Sequence, residues 1–273
     1  MTSTPLQTSD ISIIIPTLNE ETQISNWQRL QSLMVDRASS LPCGRPSSFP
    51  GASDTEASLP CGHSCAVLGA RDTEASMLCE IIIVDGGSSD KTVSLARSLG
   101  LRVESCNSGR GAQLNHGAGL ASGKILLFLH ADTELPSGFA TSILHCLSEP
   151  ATIAGAFRLK IQNGGLLLQF ICFWTNLRSR LLQLPYGDQA LFIRRDDFLQ
   201  LGGFPETPIM EDFIFIKKAR GAGRVTTLPL CVTTSARRWR RLGVIRTTLI
   251  NQLVILGYYT RVPLQKLASL YRR

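Results

Sequence analysis

Residues 124–134 read KILLFLHADTE, Lys124 to Glu134, and this stretch decides how the rest of the chain is read. Ile125, Leu126, Leu127, Phe128 and Leu129 form a continuous apolar block without polar alternation, the pattern of a central strand buried on both faces of a parallel sheet. His130 and Asp132 fall just past its carboxyl end, in the crevice where open α/β sheets bind ligands. A spacing of two places both side chains on one side of an extended chain. A metal ion and a phosphorylated ligand suit that position.

Working outward, Ile11–Ile15 (ISIII) reads as a first buried strand stopped by Pro16, with Thr17-Leu18-Asn19-Glu20 as the loop leaving it. Ile24, Trp27, Leu30 and Met34 recur at helical spacing after it. Cys79–Val84 (CEIIIV) is a second strand, followed by Asp85-Gly86-Gly87-Ser88-Ser89-Asp90 and a helix with Val93, Ala96 and Leu99 inward, ended by Gly100. Ser88 or Ser89 can cap that helix and Asp90 complements its dipole. Asp85 stands before the cap and has no such structural role. Leu101–Cys106 makes a third strand, and Asn107-Ser108-Gly109-Arg110-Gly111 leads into a helix with Gln113, Leu114 and Asn115. The glycines let backbone approach a ligand while Arg110 supplies charge, and the same triplet also fits a simple turn.

Between the first helix and the second strand, LPCGRPSSFPGASDTEAS (41–58) is echoed by LPCGHSCAVLGARDTEAS (59–76), with eleven identical positions. A metal site from Cys43, Cys61, His63 and Cys65 fits no common zinc spacing. Residues 36–77, rich in Pro, Gly and Ser, are expected to be a flexible surface insertion.

Beyond the opening stretch, a helix is expected to start near Pro136 and a strand to cover Ile153–Ile161. Leu166, Leu167, Phe170, Phe173, Trp174, Leu177 and Leu181 share one broad helical face, expected in the core, with an interfacial membrane contact as the second reading. The uncharged window is too short and too broken by polar residues to span a bilayer. Gly187-Asp188-Gln189 precedes a strand, ALFIRR, and a helix begins near Ile209 with the adjacent carboxylates Glu211 and Asp212. An acidic pair there can be dipole compensation, or one member can be a general base held in a partly desolvated pocket.

The 273 residues, 44% of them hydrophobic, suffice for one large α/β unit or two small ones, with a real core. The net charge of +7 is uneven: residues 213–273 hold 13 Lys or Arg and no Asp or Glu, whereas residues 1–212 carry 15 basic and 21 acidic groups. The carboxyl-terminal segment, residues 236–273, reads as a basic helical tail in which Leu242, Ile245, Leu249, Leu253 and Leu256 align on one face. That stripe is expected to pack against the preceding domain (1–235), or to lie on an anionic membrane surface. Eight cysteines without a C-x-x-C pair, and a first segment MTSTPLQTSD lacking an export signal, imply reduced thiols. A cytoplasmic location is expected, peripheral on the inner face of the cell membrane if the tail binds it. Cys79 and Cys106 read as core fillers.

SIIIPTLNE, IIIVDGGSSDKT, GRGAQLN, LLFLHADT, YGDQALFIRR, GGFPE-x-PIMED and SARRW, in this order, resemble a family 2 glycosyltransferase of the GT-A fold, from about Ile11 to about Ile250. The HADT and ARRW forms are similar to a small soluble subgroup linked to arsenosugar biosynthesis. The resemblance implies a single Rossmann-like, doubly wound, mostly parallel sheet flanked by helices. It also implies an inverting transfer from a nucleotide-sugar donor to the hydroxyl of a small-molecule or lipid-linked acceptor. Pro16, Thr17, Glu20 and Asp188 would belong to the donor pocket, Asp85 would contact base or ribose, Arg110 would face the nucleotide, and Asp132 would hold Mg²⁺ or Mn²⁺ on the diphosphate. Asp212 would be the catalytic base beside Glu211, and Arg238 and Trp239 would close over diphosphate and acceptor. Two positions depart from the family: His130 replaces the first carboxylate of Asp-x-Asp, and Ser235 replaces the Gln of the processive synthases' Gln-x-x-Arg-Trp, which argues against a polymerase. Two rival classes are weaker. A noncatalytic nucleotide-sugar binder needs no Asp212, and a nucleic-acid-binding protein leaves Asp85, Asp132 and Asp212 unexplained.

Overall fold

The computed structural model describes residues 10–35, 79–106 and 109–272. The repeat at 36–77, with Cys43, Cys61, His63 and Cys65, lies outside the described residues, as do Asn107, Ser108 and Arg273. The chain opens with β1 (Ile11–Thr17) and α1 (Ile24–Val35), followed by β2 (Cys79–Asp85), α2 (Thr92–Ser98), β3 (Arg102–Ser105), α3 (Arg110–Leu120) and β4 (Ile125–Phe128). A short β5 (Thr133–Glu134) precedes α4 (Phe139–Ser148), β6 (Thr152–Ile161) and α5 (Leu166–Leu182). Then come β7 (Leu191–Arg194), α6 (Arg195–Gln200), α7 (Glu211–Ala222), β8 (Arg224–Thr234), α8 (Arg237–Leu242), α9 (Val244–Tyr259) and α10 (Leu264–Arg272).

The strands form one sheet in the order β3-β2-β1-β4-β7-β6-β8-β5. β3, β2, β1 and β4 run parallel, and β6 pairs parallel to β8. β7 is antiparallel to both β4 and β6, and β5 is antiparallel to β8. The expected α/β architecture with a mostly parallel sheet is therefore present. β4 is central as expected, but it has a parallel neighbour on one side only.

Alternation along the inner strands sorts their side chains between two cores. Ile11, Ile13, Ile15, Ile83, Ile125 and Leu127 join Trp27 and Leu30 of α1 and Phe139 and Ile143 of α4. Ile14, Ile82, Val84, Leu126 and Phe128 join Leu114 of α3, Phe198 of α6, and Phe215 and Ile216 of α7 on the other face. With helices on both faces, each such strand residue is removed from water, worth roughly 1.5–3 kcal/mol per large apolar side chain. Gly117 lets α3 sit close on the sheet, since a Cβ there would lie 2.5 Å from Ile14 Cγ2.

Several boundaries differ from the sequence reading for local reasons. Pro16 does not stop β1, which continues to Thr17 in register with β2. Its missing N–H falls on the β4 side, where the ladder has already ended at Ile14 opposite Phe128. Ser88 and Ser89 do not cap α2, whose first residue follows Lys91; they bind Asn19 and Asp85 instead. α4 starts at Phe139 behind a left-handed Gly138, and α7 starts at Glu211 behind Met210 at φ 67°. Cys79 and Cys106 are half-buried against the two cores, as expected of fillers.

The largest differences concern the helical apolar faces. α5 buries Leu168 and leaves Leu166, Phe170, Phe173, Trp174 and Leu181 exposed, so its broad face is not in the core. The stripe Ile245, Leu249, Leu253 and Leu256 of α9 is likewise exposed, with Leu242 half-buried. α9 instead packs through Thr247, Ile250, Val254 and Gly257. The reason is close approach: a Cβ on Gly257 would lie 2.5 Å from Leu267 of α10, so the slender side of α9 faces inward. The basic tail is thus three helices, and α9 and α10 join Met210 and, from α7, Phe213 in one apolar cluster. No helix among the described residues is long and apolar enough to cross a membrane.

Candidate active site

The carboxyl ends of β1 and β2 are tied together first. Thr17 and Asp85 are register partners, and Thr17 Oγ1 donates to Asp85 Oδ1 at 3.3 Å. Asp85 is 3% exposed; its Oδ2 accepts the N–H groups of Gly87 and Ser88 at 2.9 Å each, and its Oδ1 accepts Ser88 Oγ at 2.5 Å. Asn19 N donates back to Ser88 Oγ at 2.8 Å, and Glu20 N donates to Thr92 Oγ1 at 2.7 Å. Asp85 therefore shapes this loop pair. Gln113 straps the same ends from α3, donating through Nε2 to Thr17 O at 3.1 Å and Val84 O at 2.8 Å. The sequence motif GRGAQLN contains Gln113, but its local pattern carries no sign of this cross-strand role.

A second group converges where β4 ends. Arg110, first residue of α3, donates to His130 Nε2, and its Nε lies 3.2 Å from Glu211 Oε1, an ion pair without hydrogen-bond alignment. Gly187 N donates to Asp212 Oδ2 at 2.6 Å, and Phe213 N donates to Asp212 Oδ1 at 2.7 Å. A Cβ on Gly187 would lie 2.9 Å from Asp212 Oδ2, 3.2 Å from His130 Nε2 and 3.3 Å from Arg110 Nη2, so the three side chains meet around this glycine. Pro16, Phe128 and Leu191 complete the lining of the small cavity they share.

Electrostatics follow from that geometry. Burial pushes the His130 imidazole well below its ordinary pKa, and the Arg110 guanidinium adds to the shift. His130 is neutral there, and its Nε2 accepts from Arg110. Burial raises Glu211, with Arg110 offsetting part of this and Asp212 adding to it. Burial raises Asp188 to about 6, Arg178 opposing and Asp212 reinforcing the shift. Asp188 Oδ1 is buried without a hydrogen-bond partner. The turn carrying Asp188 is fixed by buried Gln189, whose Nε2 donates to Phe157 O at 2.9 Å and Ser179 Oγ at 3.1 Å.

Asp132 lies to one side of this group, its Oδ1 accepting Thr234 Oγ1 at 3.3 Å. Glu20 is raised by burial, with Arg237 opposing and nearby Asp132 contributing. Arg237 Nη2 donates to both Glu20 oxygens at 2.9 Å. Arg238 turns away from Glu20: its guanidinium stacks 3.6 Å from the Tyr271 ring and donates to Tyr271 O at 3.3 Å. Burial raises Tyr271, with Arg238 and Arg110 opposing and Asp212 and Asp188 adding to it, so this residue near the end of α10 stands within electrostatic reach of the site. Trp239 packs with Leu159, Ile161 and Leu168, and its Nε1 is buried without a partner. Neither Arg237 nor Tyr271 is distinguishable by sequence pattern from the other residues of a basic, weakly periodic tail.

Among the described residues no group of three or more His, Cys, Asp or Glu converges as a metal site. Asp132 offers a half-exposed hard oxygen donor, which fits a Mg²⁺ or Mn²⁺ ion whose other ligands are phosphate oxygens and water. His130 Nε2 is engaged by Arg110 and does not join that donor set.

The family profile described as "Glycosyl transferase family 2" matches residues 66–195, which include Asp85, Arg110, His130, Asp132 and Asp188 but not Asp212 or Arg238. No curated protein matches the sequence. S. aureus TarS superposes with a TM-score of 0.55 at 18% identity, over 88% of this chain and 39% of that one. TarS 1-349 in complex with UDP-GlcNAc gives 0.54 at 19% identity, over 83% and 58%. The mannosyltransferase PcManGT from Pyrobaculum calidifontis, in complex with GDP-Man and Mn²⁺, gives 0.59 at 19% identity, over 92% and 63%. The chain thus spans well under two thirds of the full TarS chain and somewhat under two thirds of the other two. The parallel half-sheet, the crevice at its strand ends and these likenesses give the chain the GT-A fold, with residues 66–195 similar to glycosyl transferase family 2.

Proposed function

We propose that the protein transfers a sugar from a nucleotide-diphosphate sugar to an acceptor hydroxyl, with inversion at the anomeric carbon and Asp212 as the base. The observation that carries this is the meeting of Arg110, His130 and Asp212 around Gly187, in a cavity at the carboxyl ends of β1 and β4. Each Asp212 oxygen accepts one backbone N–H, which fixes the carboxylate while leaving a further lone pair free to take a proton. As the acceptor oxygen attacks, its proton passes to Asp212, the new C–O bond forms, and the bond to the diphosphate breaks with its electron pair going to the leaving group. Such a displacement needs no covalent intermediate.

The leaving diphosphate gains charge, and positive groups placed beforehand lower that cost. Arg110 supplies one, since its partner His130 is neutral and Glu211 balances it only from the other side. Thr17, Asp85 and Gln113 shape the pocket wall for the nucleoside, with Pro16 lining the cavity beside it. A divalent cation, Mg²⁺ or Mn²⁺, held by Asp132 would neutralise further charge on the diphosphate. The acceptor is a small molecule or a lipid-linked one, and the HADT and ARRW forms support the subgroup linked to arsenosugar biosynthesis. A panel of nucleotide sugars tested by thermal shift and by release of nucleoside diphosphate, with and without Mn²⁺, checks the reading. Metal-dependent stabilisation and turnover by one donor class are expected; stabilisation with no turnover for any donor and acceptor would leave only a donor-binding protein.

A further inference from the structure

α5 and α9 turn apolar faces outward that the fold does not cover among the described residues. On α5, Leu166 is 85% exposed, Phe173 59% and Trp174 52%; on α9, Ile245 is 69% exposed and Leu249, Leu253 and Leu256 half or more. Intervening residues connect the two helices at both ends. At their starts, Leu168, Ile171 and Cys172 of α5 share a cluster with Trp239 and Val244. Toward their ends, Arg178 of α5 stacks 3.5 Å from the Tyr186 ring, Tyr186 packs on Phe213, and Phe213 packs on Tyr258 and Tyr259 of α9. Each helix therefore carries an outer apolar face about 25 Å long, at 1.5 Å per residue. On α5 the aromatic rings support one another, Phe170 and Phe173 each standing edge-on to Trp174 at 6.0 and 5.8 Å.

The charge around these faces selects their occupant. Residues 161–187 and 213–273 contain no Asp or Glu, while Arg180, Arg240, Arg241, Arg261 and Lys266 are exposed around the two helices. We infer that the outer apolar faces of α5 and α9 dock the protein on an anionic lipid bilayer. Leu and aromatic side chains enter the boundary between headgroups and acyl chains while the surrounding cations meet the lipid charge. A second copy seated symmetrically would bring two rims of cations together, which opposes closure of a dimer on this face. Phe213, which packs on Ile250 and Val254 of α9, is the residue after Asp212, so docking holds the candidate site directly behind the membrane face. The inference rests on exposure and charge, independently of the transfer reaction.

Cosedimentation with vesicles of phosphatidylcholine, with and without phosphatidylglycerol, tests it using the full chain. Binding to anionic vesicles at low salt is expected, weaker by tenfold or more at high salt or without the anionic lipid. Trp27 is fully buried and Trp239 is half-buried with its Nε1 enclosed, so exposed Trp174 should dominate a blue shift of tryptophan emission on binding, and Trp174→Phe should lose most of that shift. Phe170→Ser with Trp174→Ser should weaken binding at least tenfold while the circular dichroism and melting point stay near wild type. Should that pair fail to fold, Arg240→Gln with Arg241→Gln tests the rim, with a loss of roughly tenfold expected. No binding at low salt, binding indifferent to all these changes, or concentration-dependent self-association abolished by the α5 substitutions would each overturn the inference.

Discussion

Gly187 and Asp212, 25 residues apart, are joined by a hydrogen bond of 2.6 Å from the Gly187 N–H to Asp212 Oδ2, and this bond sets the carboxylate against Arg110 and His130. It links the turn before β7 to the first turn of α7, which itself begins behind the left-handed Met210. A methyl group at 187 has no room, because it would lie 2.9 Å from Asp212 Oδ2. Gly187→Ala should therefore displace Asp212 and lower turnover by about 10²-fold, the scale of a misplaced catalytic group. Its melting point should fall only slightly, since the obstructing atoms are ends of side chains. Normal turnover with a normal melting point would show that the Gly187–Asp212 contact is not part of the chemistry.

Asp212→Asn should keep donor binding nearly unchanged and lower turnover by about 10²-fold or more. Only one side-chain oxygen remains to accept from Phe213 N or Gly187 N, and the amide faces an N–H at the other, so a stability loss of about 1–3 kcal/mol should accompany it. Single-turnover kinetics with isothermal titration of the donor separate the two effects.

Asp132→Ala should remove metal-dependent donor binding while leaving the fold intact, because its carboxylate makes one long hydrogen bond, to Thr234. Donor titration with and without Mn²⁺ reads this directly, and undiminished metal dependence would place the ion elsewhere.

Asp188 predicts a particular pH dependence of stability. Burial, opposed by Arg178 and reinforced by Asp212, raises its folded pKa to about 6 from the ordinary 3.8. Below about pH 4 both folded and unfolded chains hold the proton. As pH rises toward about 6 the unfolded chain releases it first, so this group's contribution to stability declines and is lost above its folded pKa. The full change is on the order of 3 kcal/mol at about 1.4 kcal/mol per pKa unit. Asp188→Asn should lack this decline, making the mutant relatively more stable at pH 7 than at pH 4. Parallel melting curves across that range would remove the buried, neutral-favouring Asp188 from the account.

Excision of residues 36–77 should leave fold and activity intact, since α1 ends at Val35 and β2 begins at Cys79 as consecutive elements of the fold. A folded but inactive deletion variant would give the repeat a role in the reaction.

Sequence alone determined what period and chemistry can encode. Apolar runs at Ile13–Ile15, Ile81–Val84 and Ile125–Leu129 specify strands buried on both faces, because helices cover both sides of this sheet. Asp85, His130 and Asp132 at strand ends, and Glu211 and Asp212 at a helix start, were legible because a polar residue interrupting an apolar run has few structural reasons to be there. Tertiary structure alone decided which of these meet. Arg110, His130, Gly187 and Asp212 come from four separated segments, and no local pattern records their contact. Arg237 reaches Glu20 while Arg238 reaches Tyr271, a choice between adjacent residues set by the orientation of α8 and the return of α10. The apolar stripes of α5 and α9 were visible as stripes, yet spacing fixes only that such residues share a face. Whether that face is buried depends on what packs against it, and α9 turns its slender side inward because α10 approaches Gly257 too closely for a larger residue.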